Sequence, residues 1–147
     1  MKYTKFFVLA FALLIGTAQA FSQSNTGKVY FIRSTGFAGS AGPFTTFIDD
    51  KLVCKLNNKR YSIHEVSAGE HSFSVQFTGS KSKEKAERIT IDVEAGKTYY
   101  IQLIFQAGML KNNVYCQEVT ASSAKTVLSA CEEDKKCDKR FAKFIGP

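Results

Sequence analysis

The chain contains no tryptophan, and only two prolines and two histidines occur among its 147 residues. The shortage of proline excludes a proline-rich linker or recognition segment. The histidines are His64 and His71, so any site that uses imidazole must be built on one of these two side chains. Their spacing from the four cysteines matches no close metal-ligand pair, and we therefore predict no metal site.

Catalytic motifs are missing as well. No serine is bracketed by glycines in the pattern of a nucleophile elbow. Glu65 adjoins His64, but neighbours on a strand point to opposite faces. The acidic residues cluster at Asp49 and Asp50 and at residues 132–134, which is typical of solvated turns and helix ends. We predict no catalytic residues, no cofactor and no enzymatic activity.

The positive charge is spread along the chain. The formal net charge is +7, but acidic residues are interspersed with the lysines and arginines, so we predict no nucleic-acid binding. A lysine-rich loop at 78–85 is interpreted as a solubilising tip, and the alternative is a docking patch for acidic groups. The basic tail at 132–147 mixes lysine with apolar residues; it predicts a terminal helix with a solvated lysine face or a weak contact with an anionic membrane.

The first twenty residues have the pattern of a secretory signal. Lys2 and Lys5 precede the apolar run Phe6–Ile15, and Ala18-Gln19-Ala20 supplies the small residues of a cleavage site. We predict cleavage after Ala20, a flexible leader at 21–27 and a periplasmic or extracellular location. No transmembrane segment is expected after cleavage, and a lipid anchor is not expected because the first cysteine is Cys54.

Four cysteines follow the predicted cleavage site, and an even number in an exported chain favours disulfides. Cys131 and Cys137 are close enough in sequence to close a short loop. Cys54 and Cys116 fall on predicted strands and are alternatively small buried residues. Three connectivities are possible, and the sequence leaves the pairing open.

Alternating apolar and polar residues predict eight short strands, with turns at Asp49-Asp50, Gly69 and Gly96. The strands are predicted at Lys28–Arg33, Phe44–Ile48, Leu52–Leu56, Arg60–Val66, His71–Phe77, Ile89–Val93, Lys97–Phe105 and Val114–Val119. Lys28–Arg33 is apolar between two charges, which predicts a central strand buried on both faces. Thr120 is a plausible helix N-cap, and a C-terminal helix with Ala124 on its apolar face follows.

This pattern predicts a mainly β fold: an antiparallel β-sandwich at 28–131 with a C-terminal helix. His71 follows a turn and is expected to hydrogen-bond the turn backbone, whereas His64 is expected to be exposed or on a rim. The glycine-containing loop Ser34–Pro43 is followed by a strand rather than a helix, so a flexible loop is favoured over a phosphate cradle.

Five sequence pieces in this order resemble bacterial envelope domains of the domain-of-unknown-function family 2846. They are Val29–Arg33, Ile48–Lys51, Ala68–His71, Ala95–Ile101, and Gln117–Val119 followed by Ala124–Leu128 and Cys131. The resemblance implies a small exported β-sandwich similar to carboxypeptidase-regulatory and immunoglobulin-like domains. It implies no established activity and supplies no catalytic residues.

Three functions are open at this point. The first is a non-catalytic envelope module that contacts an unknown envelope protein through a sandwich surface or an edge strand. The second is a binder of a small ligand or glycan that uses the Ser34–Pro43 loop with Phe37 and Tyr30; an exposed aromatic cluster beside the loop would favour it. The third is an enzyme, which needs His64 or His71 beside a cysteine or carboxylate in a cleft.

Overall fold

The computed structural model describes residues 25–79, 81 and 83–137, which form two packed β-sheets and one short α-helix. The predicted signal, residues 21–24 of the leader and the tail beyond residue 137 lie outside the described residues. The elements are β1 (Thr26–Arg33), β2 (Phe44–Ile48), β3 (Lys51–Leu56), β4 (Arg60–Ser67), β5 (Gly69–Gln76), β6 (Arg88–Val93), β7 (Thr98–Gln106), β8 (Asn113–Val119), α1 (Ala121–Leu128) and β9 (Glu132–Glu133).

The first sheet has the strand order β8-β7-β1-β4-β9, and the second has the order β3-β2-β5-β6. The second sheet is antiparallel, as predicted. The first sheet is mixed, because β1 pairs with β7 and β4 pairs with β9 in parallel. Each connection from β1 to β8 reverses the direction of the chain. Strands β1 and β7 therefore run in the same direction, and their pairing is parallel.

All eight predicted strands are present, with ends within two residues of the predicted ones. The predicted tail contributes a ninth strand, since Glu132 and Glu133 pair with Arg60 and Tyr61 of β4. A strand of two residues is too short to show a period-2 pattern, so β9 could not be predicted from the sequence.

The core lies between the sheets and is filled by inward-facing residues of both. Val29 and Phe31 of β1 face Phe44, Phe73 and other fully buried side chains in one continuous cluster. Burying each large side chain contributes roughly 1.5–3 kcal/mol relative to leaving it in water.

The outer face of the first sheet is partly covered by α1, which packs against β1 and β7. The helix starts at its predicted N-cap: the Thr120 hydroxyl accepts a hydrogen bond from the Ser123 N–H at 3.3 Å. Ala124 and Ile32 are both fully buried outside the inter-sheet cluster. β1 is therefore a central strand with buried residues on both faces, as the sequence predicted.

Cys54 of β3 forms a disulfide with Cys137, 83 residues further along the chain. Cys116 and Cys131 are free. A cross-link of this length stabilises a fold by roughly 4 kcal/mol through the entropy of the unfolded chain. The disulfide indicates an oxidising, extracytoplasmic location. Among the described residues no helix is long and apolar enough to cross a membrane.

Because the strands alternate in direction, the connections collect at two opposite ends of the sandwich. The turn end holds the tight turns at 49–50, 68 and 94–97. Asp49 and Asp50 have φ of 48° and 62°, the geometry of a two-residue hairpin, and Gly69 and Gly96 also have positive φ. The loop end holds the described parts of segments 34–43, 57–59, 77–87 and 107–112.

Candidate functional site

The loop end carries three large apolar side chains that are fully exposed. Phe37 is 97% exposed, Met109 is 102% exposed and Leu110 is 99% exposed. Phe37 begins a 3-10 turn in the segment after β1, whereas Met109 and Leu110 lie between the parallel neighbour β7 and β8. Parallel neighbours end at the same edge of a sheet, so these apolar tips project from the same end of the molecule.

Arg33, the last residue of β1, holds the first loop in place. Its guanidinium is buried and donates hydrogen bonds to the carbonyls of Gly39 at 2.7 Å, Gly42 at 2.9 Å and Leu56 at 2.6 Å. It also lies 3.6 Å from the centre of the Phe44 ring. Burial lowers the pKa of Arg33 to about 10, so the side chain still carries its charge at neutral pH.

A second set of contacts ties the same loop to the β3–β4 turn and to β7. The Asn58 side chain accepts from the Thr35 N–H at 2.9 Å and donates to the Thr35 carbonyl at 2.8 Å. A Cβ at Gly39 would lie 2.8 Å from the Phe105 ring, so only glycine allows this close approach. The loop is thus a fixed platform from which Phe37 projects.

Beneath the loops, three rings close the end of the core. Phe77 contacts Phe44 with a centroid distance of 5.3 Å and Phe105 with a distance of 5.7 Å, both edge to face. The apolar residues of this end therefore separate into a packed layer and the projecting tips Phe37, Met109 and Leu110.

The same end carries four lysines. They are Lys81, Lys83, Lys85 and Lys111, all exposed. In the part of the chain that the structure describes, none of them lies within ion-pair distance of a carboxylate. Glu84 and Glu87 belong to the same end, and Glu87 accepts a hydrogen bond from Asn113 at 3.3 Å. The local balance is positive around an apolar centre.

The aromatic cluster of the predicted ligand site forms elsewhere. Tyr30 contacts Tyr61 at 6.0 Å and Tyr100 at 5.1 Å, on the outer face of the first sheet. All three rings are half-buried. Burial, followed by Tyr100, Tyr61 and Glu133, raises the pKa of Tyr30. Phe37 makes no ring contact with Tyr30 among the described residues, so the predicted pair does not form one cluster.

His71 lies at the turn end and hydrogen-bonds the turn backbone, as predicted: its Nε2 is 3.0 Å from the Ser67 carbonyl oxygen. Its Nδ1 is 2.7 Å from the Asp49 carboxylate, and the Ser67 hydroxyl is 3.2 Å from Nε2. Asp49 also accepts from the Ser72 N–H at 2.9 Å. This cluster links the β2–β3 turn to the β4–β5 turn.

The order Ser67–His71–Asp49 is that of a serine-hydrolase triad, and the geometry argues against that use. A triad base must present a free Nε2 lone pair to the hydroxyl. Here Nε2 also faces the Ser67 carbonyl, at the shorter distance, which calls for an N–H donor at that position. The atoms are arranged to bridge two turns rather than to activate a nucleophile.

The prediction that His64 is exposed or on a rim is wrong. His64 is 5% exposed and faces the core, where its ring meets Phe31 edge to face at 5.7 Å and its Nε2 lies 2.9 Å from the Ser62 hydroxyl. The prediction assumed that Ile63 points inward, but the apolar side chain of Ile63 is on the outer face, paired with Tyr30. Burial lowers the pKa of His64 to about 4, so the imidazole is neutral.

The cysteines and the charged clusters do not assemble into a chemical site. Burial raises the pKa of the Cys116 thiol, with a smaller effect from Glu87, and burial also raises the pKa of the Cys131 thiol. Neither free thiol is therefore activated as a nucleophile. Among the described residues no group of three or more histidine, cysteine or acidic side chains is placed to hold a metal.

Two shallow cavities are lined by mixed charges. One, of about 220 Å³, lies at the turn end between Lys28, Glu65 and Lys97, and the other, of about 410 Å³, lies between Arg60, Glu133 and Lys135. Neither contains a histidine or a cysteine. Mixed charge without an apolar floor does not favour an organic ligand.

Sequence reasoning named Phe37 as a candidate binding residue but missed Arg33, Met109 and Leu110. The sequence did contain a signal for the role of Arg33, because this arginine ends an apolar central strand. The segment that follows contains glycines, and its backbone carbonyls have no regular hydrogen-bond partners. The sequence could not show that Met109 and Leu110 are exposed, because two neighbouring apolar residues in a loop can either pack against the core or project into solvent.

Comparison with known proteins identifies the family to which the chain belongs. No curated protein and no solved structure matches it. A family model described as "protein of unknown function (DUF2846)" matches residues 23–117, which span β1 to β7 and most of β8. The chain therefore belongs to the DUF2846 family of proteins of unknown function.

Proposed function

We propose that this protein is an exported, non-catalytic β-sandwich module of the cell envelope that acts by surface contact through its loop end. The observation that carries the proposal is the projection of Phe37, Met109 and Leu110 from one end of the sandwich. Exposed apolar side chains gathered at one end of a molecule and accompanied by charged residues are typical of an interaction site.

The support comes from how the tips are held. Arg33 fixes the first loop from below with its hydrogen bonds to backbone carbonyls. The turn Gly108–Lys111 is closed by the Gly108 N–H, which donates to the Asn112 side chain at 3.3 Å. Since both loops are held by hydrogen bonds of their own and all three tips are exposed, the tips are available to an outside partner.

The location follows from the disulfide together with the predicted signal. Cys54–Cys137 needs an oxidising compartment to form and persist. With cleavage after Ala20, the mature chain is periplasmic or extracellular. N-terminal sequencing of the exported chain tests the cleavage site directly, and a chain that retains Met1 contradicts it.

The contact function is tested by site-specific photo-cross-linking in cells. A benzophenone amino acid replaces Phe37 or Leu110, and a matched control carries it at Lys51, an exposed position at the turn end. We expect a discrete cross-linked product from the loop-end positions and none from the control. Equal labelling at both ends, or no cross-link to protein or lipid at residues 37 and 110, contradicts the proposal.

A second candidate function is binding of a glycan on the half-buried cluster Tyr30, Tyr61 and Tyr100. Aromatic faces that are partly exposed suit the apolar face of a sugar ring. Titration of envelope glycans monitored by tyrosine fluorescence tests this, with Tyr61→Ala as the loss-of-binding variant and Tyr115→Ala, on the edge strand β8, as the matched control.

The non-catalytic part of the proposal has its own test at Ser67. A fluorophosphonate probe labels the nucleophile of an active serine hydrolase. We expect Ser67 to remain unmodified, because its carbonyl occupies the His71 nitrogen that a triad would use. Stoichiometric labelling that is lost in Ser67→Ala and in His71→Gln would establish an enzyme instead.

A further inference from the structure

The loop end combines two features that recur together in proteins that bind lipid surfaces. Its centre is apolar and convex, since Phe37, Met109 and Leu110 lie at the apices of loops and not in a groove. Its margin carries the exposed lysines Lys81, Lys83, Lys85 and Lys111. We propose that this end docks on a membrane surface with anionic headgroups, an inference that rests on the proposed contact function and names its partner.

The shape favours a bilayer over a folded protein. Protruding single side chains need a complementary pocket on a protein partner, whereas the interface of a bilayer opens around them without preformed shape. Apolar side chains enter the boundary between headgroups and acyl chains to a depth of roughly 5–10 Å. Side chains at the tips of rigid loops reach that depth while the sandwich stays in water.

The charges favour an anionic surface. Among the described residues the four lysines have no carboxylate within ion-pair distance, so their charge is available to headgroups. Each lysine near an anionic surface increases affinity about fivefold, and salt weakens this term. Glu84 and Glu87 oppose it in part, which predicts moderate and salt-sensitive binding.

The opposite end lacks this combination. At the turn end Lys97 is paired with Glu94 at 2.6 Å and Asp49 with His71. Asp50 is paired with Arg88, which follows segment 77–87 and also donates to the carbonyl of Ala86 at 3.2 Å. None of the three fully exposed large apolar side chains lies at the turn end. Docking is therefore expected in one orientation, with the loops against the membrane and the turn end pointing away from it.

The test is vesicle co-sedimentation of the chain recovered from the extracytoplasmic fraction. Vesicles of phosphatidylcholine with about a third phosphatidylglycerol are compared with pure phosphatidylcholine at low and high salt. We expect binding to the anionic vesicles that falls at high salt. The triple variant Phe37→Ser, Met109→Ser, Leu110→Ser is expected to bind at least about tenfold more weakly.

A charge-matched pair of variants separates local from general electrostatics. One variant replaces Lys81, Lys83, Lys85 and Lys111 with glutamine; the other replaces Lys28, Lys51, Lys97 and Lys125, which are exposed away from the loop end. Both lower the net charge equally. Only the first is expected to lose the preference for anionic vesicles, and the second is expected to bind within about twofold of the wild type.

Insertion is read out with a single fluorophore, because the chain contains no tryptophan. Phe37→Trp is expected to shift its emission to the blue on vesicle addition and to be quenched by brominated lipid. Lys51→Trp at the turn end is the control and is expected to do neither.

The outcomes distinguish this inference from the contact function on which it rests. Failure of the wild type to bind anionic vesicles, or wild-type binding by both loop-end variants, overturns the membrane inference. If residue 37 then cross-links in cells to a discrete protein, or to a second copy of this chain, the contact function stands with that partner. If the wild type fails to bind vesicles and residues 37 and 110 cross-link to neither protein nor lipid, both proposals fall.

Discussion

At the turn end the chain reverses at 49–50, 68 and 94–97, and the side chains there bond to one another across the turns. At the loop end the connections are longer, and the side chains of the buried Arg33 and of Asn58 bond to backbone groups of the segment after β1. Tight turns cost little entropy and set strand register, so the turn end needs no outside support. The loop end retains ordered but unpartnered surface, which is where a binding function belongs.

The largest expected effect comes from breaking the support of the loop end. Arg33→Leu leaves the carbonyls of Gly39, Gly42 and Leu56 without their donor, which is expected to lower the free energy of unfolding by about 3 kcal/mol. Urea titration measures it, and hydrogen exchange is expected to speed up in segment 34–43 first.

Arg60→Leu is the matched control, because Arg60 bonds to Glu132 at the surface, where an ion pair is worth at most about 1 kcal/mol. If the two arginine variants lose equal stability, Arg33 has no special role in the loop end.

The second effect separates the two histidines by their surroundings. The pKa of His64 is lowered to about 4 in the folded chain, against 6.5 in the unfolded one. The unfolded state therefore binds the proton first, and stability that is complete above pH 6.5 is lost as the pH falls toward 4. The loss attributable to His64 reaches about 2 kcal/mol at pH 5.

Unfolding free energies between pH 7.5 and 4.5 check this. His64→Gln is expected to remove this part of the acid sensitivity, whereas His71→Gln at the turn end is expected to retain it. Parallel curves for the wild type and His64→Gln would show that the buried imidazole is not the titrating group.

The third effect weakens the turn end. Asp49→Ala removes the acceptor of the Ser72 N–H and the partner of His71, and it places alanine at φ 48°. We expect a loss of about 1 kcal/mol, because the bonds are exposed and partly replaced by water. Asp92→Ala, an exposed acidic residue on β6, serves as the control and is expected to change stability by less than about 0.5 kcal/mol. A neutral Asp49→Ala would mean that the turn sequence alone fixes the β2–β3 hairpin.

Strand positions could be read from the sequence because one buried face imposes a period of two, and that signal is local. The sequence did not show which strands pair in parallel, because β1 and β7 contact each other through residues that are about seventy positions apart in the chain. The side of the sheet on which His64 lies was predicted wrongly, because Ile63 and Tyr61 are apolar although they lie on the outer face of β4. The rule that apolar residues face the core therefore fails on this strand. Gly69 and Gly96 were correctly predicted to lie at turns, because glycine adopts positive φ more readily than other residues.

The site was less predictable than the strands, for a physical reason. Arg33 binds backbone carbonyls, which every residue has, so its hydrogen-bond partners cannot be recognised from the sequence. The disulfide Cys54–Cys137 joins β3, at the edge of the second sheet, to the segment that follows β9, at the edge of the first, and therefore depends on how the two sheets pack. The apolar tips are candidate binding residues because their side chains are exposed, and exposure can be determined only from the folded structure.

The smallest expected effect on stability concerns those tips. Phe37→Ser, Met109→Ser and Leu110→Ser together are expected to change the free energy of unfolding by less than about 0.5 kcal/mol, because fully exposed side chains lose nothing from the core. Phe44→Ser, a buried ring of the same end, is the control and is expected to cost more than about 3 kcal/mol. A large loss in the triple variant would assign the tips a role in folding. A negligible loss, beside the weaker vesicle binding expected of the same variant, means that folding does not require these apolar side chains and that their exposure serves contact.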